Sequence, residues 1–418
     1  MARGTVVEAY GQLAAEGYLA SRQGSGTVVA WAAAAPPRRP VPTPAPRPFL
    51  HSFRSGRPDV SSFPRAAWVR ALRAALARAP DLALDYGDPR GRPELRAALA
   101  DYLARARGVV ATEDDVLVTS GFGQSVGLLA RALRAAGARR VAVEDPGEGE
   151  FRRSIEAAGL ACRPVPVDGE GLVVDALRDG DGAVLVTPAH QFPLGVNLSP
   201  ARRAALLAWA RARGALVIED DYDGEFRYDR QPVGALQALD PTRVAYAGTA
   251  SKALAPGVRL GWLVLPHPWA ERVAAVKALA DGQAPVLDQL ALSELIRGGA
   301  FERHLRRMRR AYRRRRDALL LALARHAPEF EPAGIAAGMH LLLRPPAGGP
   351  GEAELERACL ERGVELRGLR AFTGGKPRGR GGLVVGYATP PANGFEAAVE
   401  ALALALAAAR APLAARGG

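Results

Sequence analysis

Five short apolar runs recur along the chain, each closed by turn-forming or polar residues: Val116-Leu-Val-Thr-Ser, Val141-Ala-Val-Glu-Asp-Pro, Ala183-Val-Leu-Val-Thr-Pro, Ala215-Leu-Val-Ile-Glu-Asp and Val244-Ala-Tyr-Ala-Gly. Runs this short and this apolar read as buried strands. Amphipathic stretches separate them, such as Pro93–Arg107 and the segment from Gly121 through Arg134. Strands alternating with helices predict an α/β fold with a mostly parallel, doubly wound sheet. In such sheets the ligand site lies beyond the carboxyl ends of the strands. The chain's most distinctive polar residues stand at those ends.

The chain has 418 residues, a length that predicts two to three domains. Its net charge of +13 is mostly an arginine excess. That excess permits an acidic partner such as DNA, and compositional bias toward arginine explains it equally well. Cys162 and Cys359 are too few and too far apart for a disulfide framework or a zinc site, which points to a reducing cytosol. The first residues lack a signal-peptide pattern, and the apolar run Ala401–Ala409 has neither the length nor the purity of a membrane span. A soluble intracellular protein with no membrane partner is the expectation.

Residues 1–20 predict a helix that stops at Gly17, with Val6, Val7, Tyr10 and Leu13 as an apolar stripe. Ser21 through Val29 predicts a small basic hairpin with a Gly-Ser-Gly turn. About 30 residues make no core of their own. Residues 31–48 form a Pro/Ala linker, extended and semi-rigid. From residue 49 onward the reading is a large part at about 84–290 and a small part built from 49–83 and 291–412. A long arginine-rich helix is expected near Phe301–Leu323, with Leu305, Met308 and Tyr312 inward and most of its arginines solvated.

Lys252 is one of three lysines in the chain, in Gly248-Thr-Ala-Ser-Lys-Ala-Leu-Ala-Pro-Gly-Val-Arg-Leu-Gly-Trp262. Lys and Arg serve equally well as solvated charges, but only Lys loses its proton readily and forms an imine with an aldehyde. Thr119-Ser-Gly-Phe-Gly-Gln124 joins a strand to a helix N-terminus, where free amides and the dipole favour a phosphate. Ile218-Glu-Asp-Asp-Tyr-Asp-Gly-Glu-Phe226 ends another strand in carboxylates. Arg259 offers a bidentate fork, and Thr249 and Ser251 offer hydroxyls. Singly, each has a bland reading as a surface lysine, a tight turn or a solvated acidic loop. Together they match the needs of pyridoxal 5'-phosphate: a lysine for the aldehyde, a carboxylate for the ring nitrogen, a phenol donor and a phosphate cup.

Residues 49 to about 410 resemble the fold-type I aminotransferases through YGDPRGRPELR, VTSGFGQ, EDPG, TPAHQFPLGVNLSP, EDDYDGEFRYD and GTASKALAPGVRLGW. Residues 1–30 resemble the second half of a GntR-type winged helix-turn-helix, whose pattern reads SRGTVxxAYxxLxxEGxLxxxxGxGTxV. The whole chain therefore resembles the MocR/GabR/PdxR-type regulators, a GntR reader fused to an aminotransferase-like body. The first two helices of the reader are missing, and Met1-Ala2 occupy the places of a hydrophobic residue and a serine. The true start is therefore expected upstream, with a relic helix unable to bind DNA as the equal alternative.

The resemblance implies that Lys252 carries the cofactor as an internal aldimine, that Asp220 pairs with the pyridine nitrogen and that Tyr222 faces the phenolic oxygen. It implies a phosphate cup of Phe122 and Gly123 (backbone), Thr249, Ser251 and Arg259. Tyr86 reaches the phosphate of a neighbouring subunit, which implies a homodimer. Arg3 and Thr5 sit at the start of a recognition helix and Arg22 on the wing, the DNA-contacting positions.

Several positions depart from the pattern. Glu148 stands where a tyrosine stacks on the cofactor ring, and Gly123 where the phosphate turn carries a glutamine. Phe192 replaces the asparagine of true aminotransferases, as is usual in MocR-type proteins. Val384, in Gly382-Leu-Val-Val-Gly-Tyr, stands where aminotransferases place the arginine for the substrate carboxylate, unless Arg378 or Arg380 reaches in. Two functions follow. One is a pyridoxal phosphate-binding transcriptional regulator that senses the cofactor or a small amine or amino acid. The other is a pyridoxal phosphate enzyme, an aminotransferase or a relative, that has lost its DNA reader.

Overall fold

The structure is a computed structural model that describes residues 2–31, 49–228, 233–374 and 381–409. From residue 32 the expected linker lies outside the described residues, as do Arg378 and Arg380. Two compact units appear, residues 1–48 and 49–418.

In the first unit the helix Arg3–Ala15 ends on Glu16 and Gly17, the latter at φ 80, a left-handed stop that favours glycine. The strand Leu19–Arg22 then pairs antiparallel with Gly26–Val29. This helix buries none of its residues. Its stripe of Val6, Val7, Tyr10 and Leu13 stays exposed, because the short hairpin cannot cover it.

In the second unit an eight-stranded sheet runs, edge to edge, Val116–Thr119, Gly261–Val264, Val244–Thr249, Leu216–Asp220, Ala183–Val186, Arg140–Asp145, Ala161–Asp168 and Gly171–Leu172. All five runs expected as strands are present. The five strands from Val244–Thr249 to Ala161–Asp168 are mutually parallel. The strand Gly261–Val264 is antiparallel to both neighbours, so the sheet is mixed but mostly parallel. Strand order reverses between Arg140–Asp145 and Ala183–Val186. A crevice opens at such a reversal because successive helices depart to opposite sides.

A four-stranded antiparallel sheet follows, in the order Glu331–Ala333, Leu341–Arg344, Leu383–Val385, Arg367–Gly368. His51–Ser52 pairs parallel with Val364–Glu365 as a separate two-stranded sheet. The long helix Ala300–His326 buries Leu305, Met308 and Tyr312 as its spacing requires. Most of its arginines are solvated, and Arg315 is the exception: it is buried, and its Nη2 lies 2.6 Å from Asp59 Oδ2. Ser61 and Ser62 also donate to Asp59, and Tyr312 Oη accepts its backbone amide at 3.1 Å. This buried cluster anchors the segment that begins at Phe53.

The longer stretch 392–409, which includes the apolar run Ala401–Ala409, is by length and composition alone apolar enough to cross a membrane. Its helix Phe395–Ala409 instead places Phe395, Val399, Leu402 and Leu406 in one core with Leu319 and Leu323.

Candidate functional site

A cavity of about 420 Å³ opens over the carboxyl ends of the parallel strands, at the reversal of strand order. Of the residues expected to bind a cofactor, it is lined by Phe122, Gly123, Asp220, Tyr222, Thr249, Ser251, Lys252 and Arg259. Tyr86 is not among them; it is 97 % exposed and lies apart from the cavity within the chain.

Lys252 belongs to the short helix Ala250–Ala253 that directly follows the strand Val244–Thr249. Its Nζ donates to the carbonyl of Gly56 at 2.7 Å. Burial lowers its pKa; Asp220, Asp223 and Glu148 oppose that, and Arg259 adds to it. The net result holds more of the amine in its nucleophilic form.

Asp220 ends the strand Leu216–Asp220, fully enclosed, and its Oδ1 has no hydrogen-bond partner. Burial raises its pKa well above the ordinary carboxylate range, although the Lys252 charge pulls the other way. A buried carboxylate with an unpaired oxygen calls for a cationic donor. Two positions on, the Tyr222 hydroxyl lies 3.1 Å from His190 Nδ1, which lies 2.9 Å from Asp223 Oδ2.

The phosphate-cup candidates meet through glycine. Gly121, at φ 105, precedes the helix Phe122–Ala135, whose first-turn amides have no carbonyl within the helix to bond. A Cβ at 121 would lie 3.3 Å from Arg259 Nη1, and one at Gly261 would lie 2.8 Å from the Gly121 Cα. Only glycines allow the guanidinium to settle against this turn. Arg259 itself sits at φ 53, the sole non-glycine with positive φ among the described residues. The Thr249 hydroxyl is already engaged: it accepts the Ser251 amide at 3.1 Å and donates to the Leu260 carbonyl at 3.3 Å.

The departures acquire physical form. Glu148 caps the helix Gly149–Ala157 by accepting the Glu150 amide at 3.3 Å, and it lines the cavity. Val384 lies in an apolar cluster with Leu342, Leu369 and Phe372, against which Phe192 packs. Phe192 and Phe372 meet edge to face, with centroids 5.0 Å apart, and both line the cavity.

His190, Asp223 and Glu144 stand inside motifs legible in the sequence without a role there, and Arg152, which lines the cavity and pairs with Asp145 at 2.9 Å, is not marked by any motif. Glu144 is buried, accepts from the Thr187 hydroxyl and Gln191, and is pushed up to about 7 by burial. A polar residue at the last positions of a buried strand was the available signal. Arg54, Arg57 and Arg367 also line the cavity, and in a chain this rich in arginine nothing marks them.

Residues 53–406 match the aminotransferase class I and II family. The HTH-type pyridoxine biosynthesis transcriptional regulator PdxR of Corynebacterium glutamicum is 36 % identical over 348 residues, covering 82 % of this chain and 75 % of that protein. The probable rhizopine catabolism regulatory protein MocR of Rhizobium meliloti is 34 % identical over 415 residues, covering 93 % and 83 %. Among solved structures, a kynurenine aminotransferase of Pyrococcus horikoshii superposes with a TM-score of 0.75 at 27 % identity, covering 85 % of this chain and 90 % of its own. An archaeal alanine:glyoxylate aminotransferase superposes with a TM-score of 0.76 at 28 % identity, covering 84 % and 89 %.

Pyridoxal 5'-phosphate is the cofactor that goes with this family and fold. The residues present fit it: the orphaned Asp220 Oδ1 awaits a cationic donor, and Gly121 leaves room where a Cβ would push Arg259 away. The chain belongs to the aminotransferase class I and II family, in the branch of the PdxR- and MocR-type transcriptional regulators.

Proposed function

We propose that the protein senses a small amine or amino acid at pyridoxal phosphate held by Lys252, and passes that state to DNA through its N-terminal helix and hairpin. The observation that carries this reading is the meeting of Lys252, the unpaired Asp220 and the Gly121–Arg259 turn in one cavity. When bound, the cofactor supplies an aldehyde that condenses with amines and a ring that withdraws electrons. Asp220 holds the proton on the ring nitrogen and Tyr222 donates toward the phenolic oxygen. The amides of Phe122 and Gly123, the Ser251 hydroxyl and Arg259 bind the phosphate. Thr249 positions Ser251 through its cap, and its own hydroxyl proton is directed at Leu260.

Arg3, Thr5 and Arg22 are all exposed, as contact with nucleic acid requires. Tyr86, exposed and outside the cavity of its own chain, serves the phosphate of a second copy in a cytoplasmic homodimer. DNA flanking the protein's own coding region, followed by fluorescence anisotropy with and without pyridoxal phosphate, tests the regulator reading. A cofactor-dependent change in affinity that Arg3→Ala and Arg22→Ala both weaken is expected; no binding in either state overturns it. A second reading, catalysis on an amino compound, draws on the intact Lys252–Asp220–Tyr222 set. Conversion of any amino acid to its oxo acid would support that reading.

The phosphate cup makes a specific prediction. Gly121→Ala should weaken pyridoxal phosphate about tenfold or more, since it strains a positive φ and displaces Arg259. Pyridoxal without the phosphate should lose far less in the same absorbance titration. Equal losses for both would remove Arg259 from the cup.

Glu148 has a testable electrostatic role. Its carboxylate favours the charged form of Lys252. Glu148→Gln should therefore lower the Lys252 pKa further and shift the pH midpoint of cofactor capture downward. An unchanged or higher midpoint in the pH-dependent absorbance would sink this role.

A further inference from the structure

Four guanidinium groups at the cavity have no part in the cofactor assignments, and one of them, Arg152, is already held by Asp145 Oδ1 at 2.9 Å and the Glu144 carbonyl at 3.0 Å, which leaves Arg54, Arg57 and Arg367. Arg54 and Arg57 flank Gly56, the residue whose carbonyl accepts Lys252 Nζ at 2.7 Å. Both therefore leave the backbone within two residues of the nucleophile's own partner. Arg367 arrives from a different element, as the antiparallel cross-strand partner of Val384. Directly opposed residues project on the same face of a sheet, with Cβ atoms about 4.5–5.5 Å apart. Where position 384 now offers only an apolar wall behind Phe192 and Phe372, the adjacent strand offers a guanidinium from the same face.

These charges are compensated only in part: Glu148 and Glu150 line the same cavity, but neither forms an ion pair with them among the described residues. Among the described residues neither Arg57 nor Arg367 makes an ion pair, and both are exposed at the cavity. Arg54 has only Glu365, at 3.6 Å, too long for a hydrogen bond, and Glu365 itself accepts from the Ser52 hydroxyl at 2.7 Å. Burial lowers the Arg54 pKa first, and the charges of Arg367 and Arg57 lower it further, with Glu365 and Glu150 opposing. Guanidinium groups that repel one another beside a cavity are relieved by an arriving anion. Arg315 and Asp59 make the arrangement rigid from behind, since their buried pair anchors the segment carrying Arg54 and Arg57.

We propose that Arg54 and Arg367, with Arg57 beside them, form the carboxylate-binding end of this cavity, so that its ligand is an amino acid and not a simple amine. The carboxylate grip has moved from position 384 to the neighbouring strand and to the segment over Lys252. This inference rests on the pyridoxal phosphate reading of the cavity.

The test uses the protein loaded with cofactor and matched probes: L-alanine against ethylamine, and 5-aminopentanoate against butylamine. Cofactor absorbance and calorimetry follow binding. At least one amino acid should bind about tenfold or more tightly than its decarboxylated counterpart. Arg367→Gln and Arg54→Gln should each cut that advantage by about ten- to a hundredfold, leaving amine binding and cofactor retention as in wild type. Succinate, which has no amine to react, gives a separate arm. Its calorimetric binding should weaken in both variants and with rising salt. Amines that bind as tightly as their amino acids, variants that leave the ratio unchanged, or a loaded protein that binds neither succinate nor any probe would each overturn the proposal. A wild-type protein that fails to take up the cofactor's absorbance would instead remove the reading beneath it.

Discussion

Replacing Lys252 by alanine should abolish covalent retention of pyridoxal phosphate, and replacing it by arginine should do the same. In the wild-type protein, borohydride reduction should fix the cofactor to the chain, seen as added intact mass that survives denaturation. Either variant should return the mass of the bare polypeptide. The arginine variant separates two explanations. It keeps a cation near Asp220 but cannot shed its proton at any accessible pH, so it cannot attack an aldehyde. The assignment also separates Lys252 from Lys277, the other lysine among the described residues. Lys277 is fully buried and its Nζ is held by Asp281 at 2.7 Å, while Lys252 has only the Gly56 carbonyl and stands in the cavity. A reduced adduct that persists in Lys252→Ala would overturn the assignment, and peptide mapping would show which lysine carried it.

Asp221→Asn should cost about 3–5 kcal/mol of folding stability, because it leaves a buried guanidinium without its counter-charge. Asp221 directly follows Asp220, yet it turns away from the cavity. Its Oδ2 accepts Arg107 Nε at 2.6 Å and the Tyr246 hydroxyl at 2.8 Å, and its Oδ1 accepts Arg107 Nη2 at 3.0 Å. The two side chains are 3 % and 1 % exposed. Burial alone would lower the Arg107 pKa, and the Asp221 charge reverses that and raises it. Arg107 also donates to the carbonyls of Gly224 and Val233, tying the loop after Asp220 to the helix Pro93–Arg107. Loss of Asp221 should therefore displace Asp220 and Tyr222 and weaken the cofactor as well. The comparison is Arg105→Gln, which removes an exposed pair with Glu302 and should cost less than about 1 kcal/mol. Urea denaturation of both variants checks the difference. Equal stabilities would show that the buried pair contributes no more than a surface one.

Much of this site was legible because its parts are contiguous in sequence. Lys252, Thr249 and Ser251 fall within four residues, and Asp220 and Tyr222 within three. Local backbone geometry carries such groups together, so a strand end read from its apolar run places its polar neighbours too. Asp221 shows the limit. The adjacent carboxylates Glu219, Asp220 and Asp221 look alike in sequence, and only packing decides that Asp220 enters the cavity while Asp221 pairs with Arg107. The helix Ala300–His326 behaves similarly. Its period showed the buried face, but Arg315 could not be told from its exposed neighbours until Asp59, 256 positions away, was seen beside it.

The sequence by itself determined the alternation of strands and helices and the mostly parallel sheet, and it singled out Lys252, Asp220 and Arg259 as the candidate cofactor set. Those rest on periodicity and on short motifs whose residues travel together. Only the tertiary structure decided that Tyr86 stands apart from its own cavity, that Glu148 caps a helix beside Lys252, and that Arg54, Arg57 and Arg367 gather at one cavity. The physical reason is separation along the chain. Arg54 and Arg367 belong to elements joined through sheet pairing and a buried ion pair, and in a chain crowded with arginine no single one announces its neighbours.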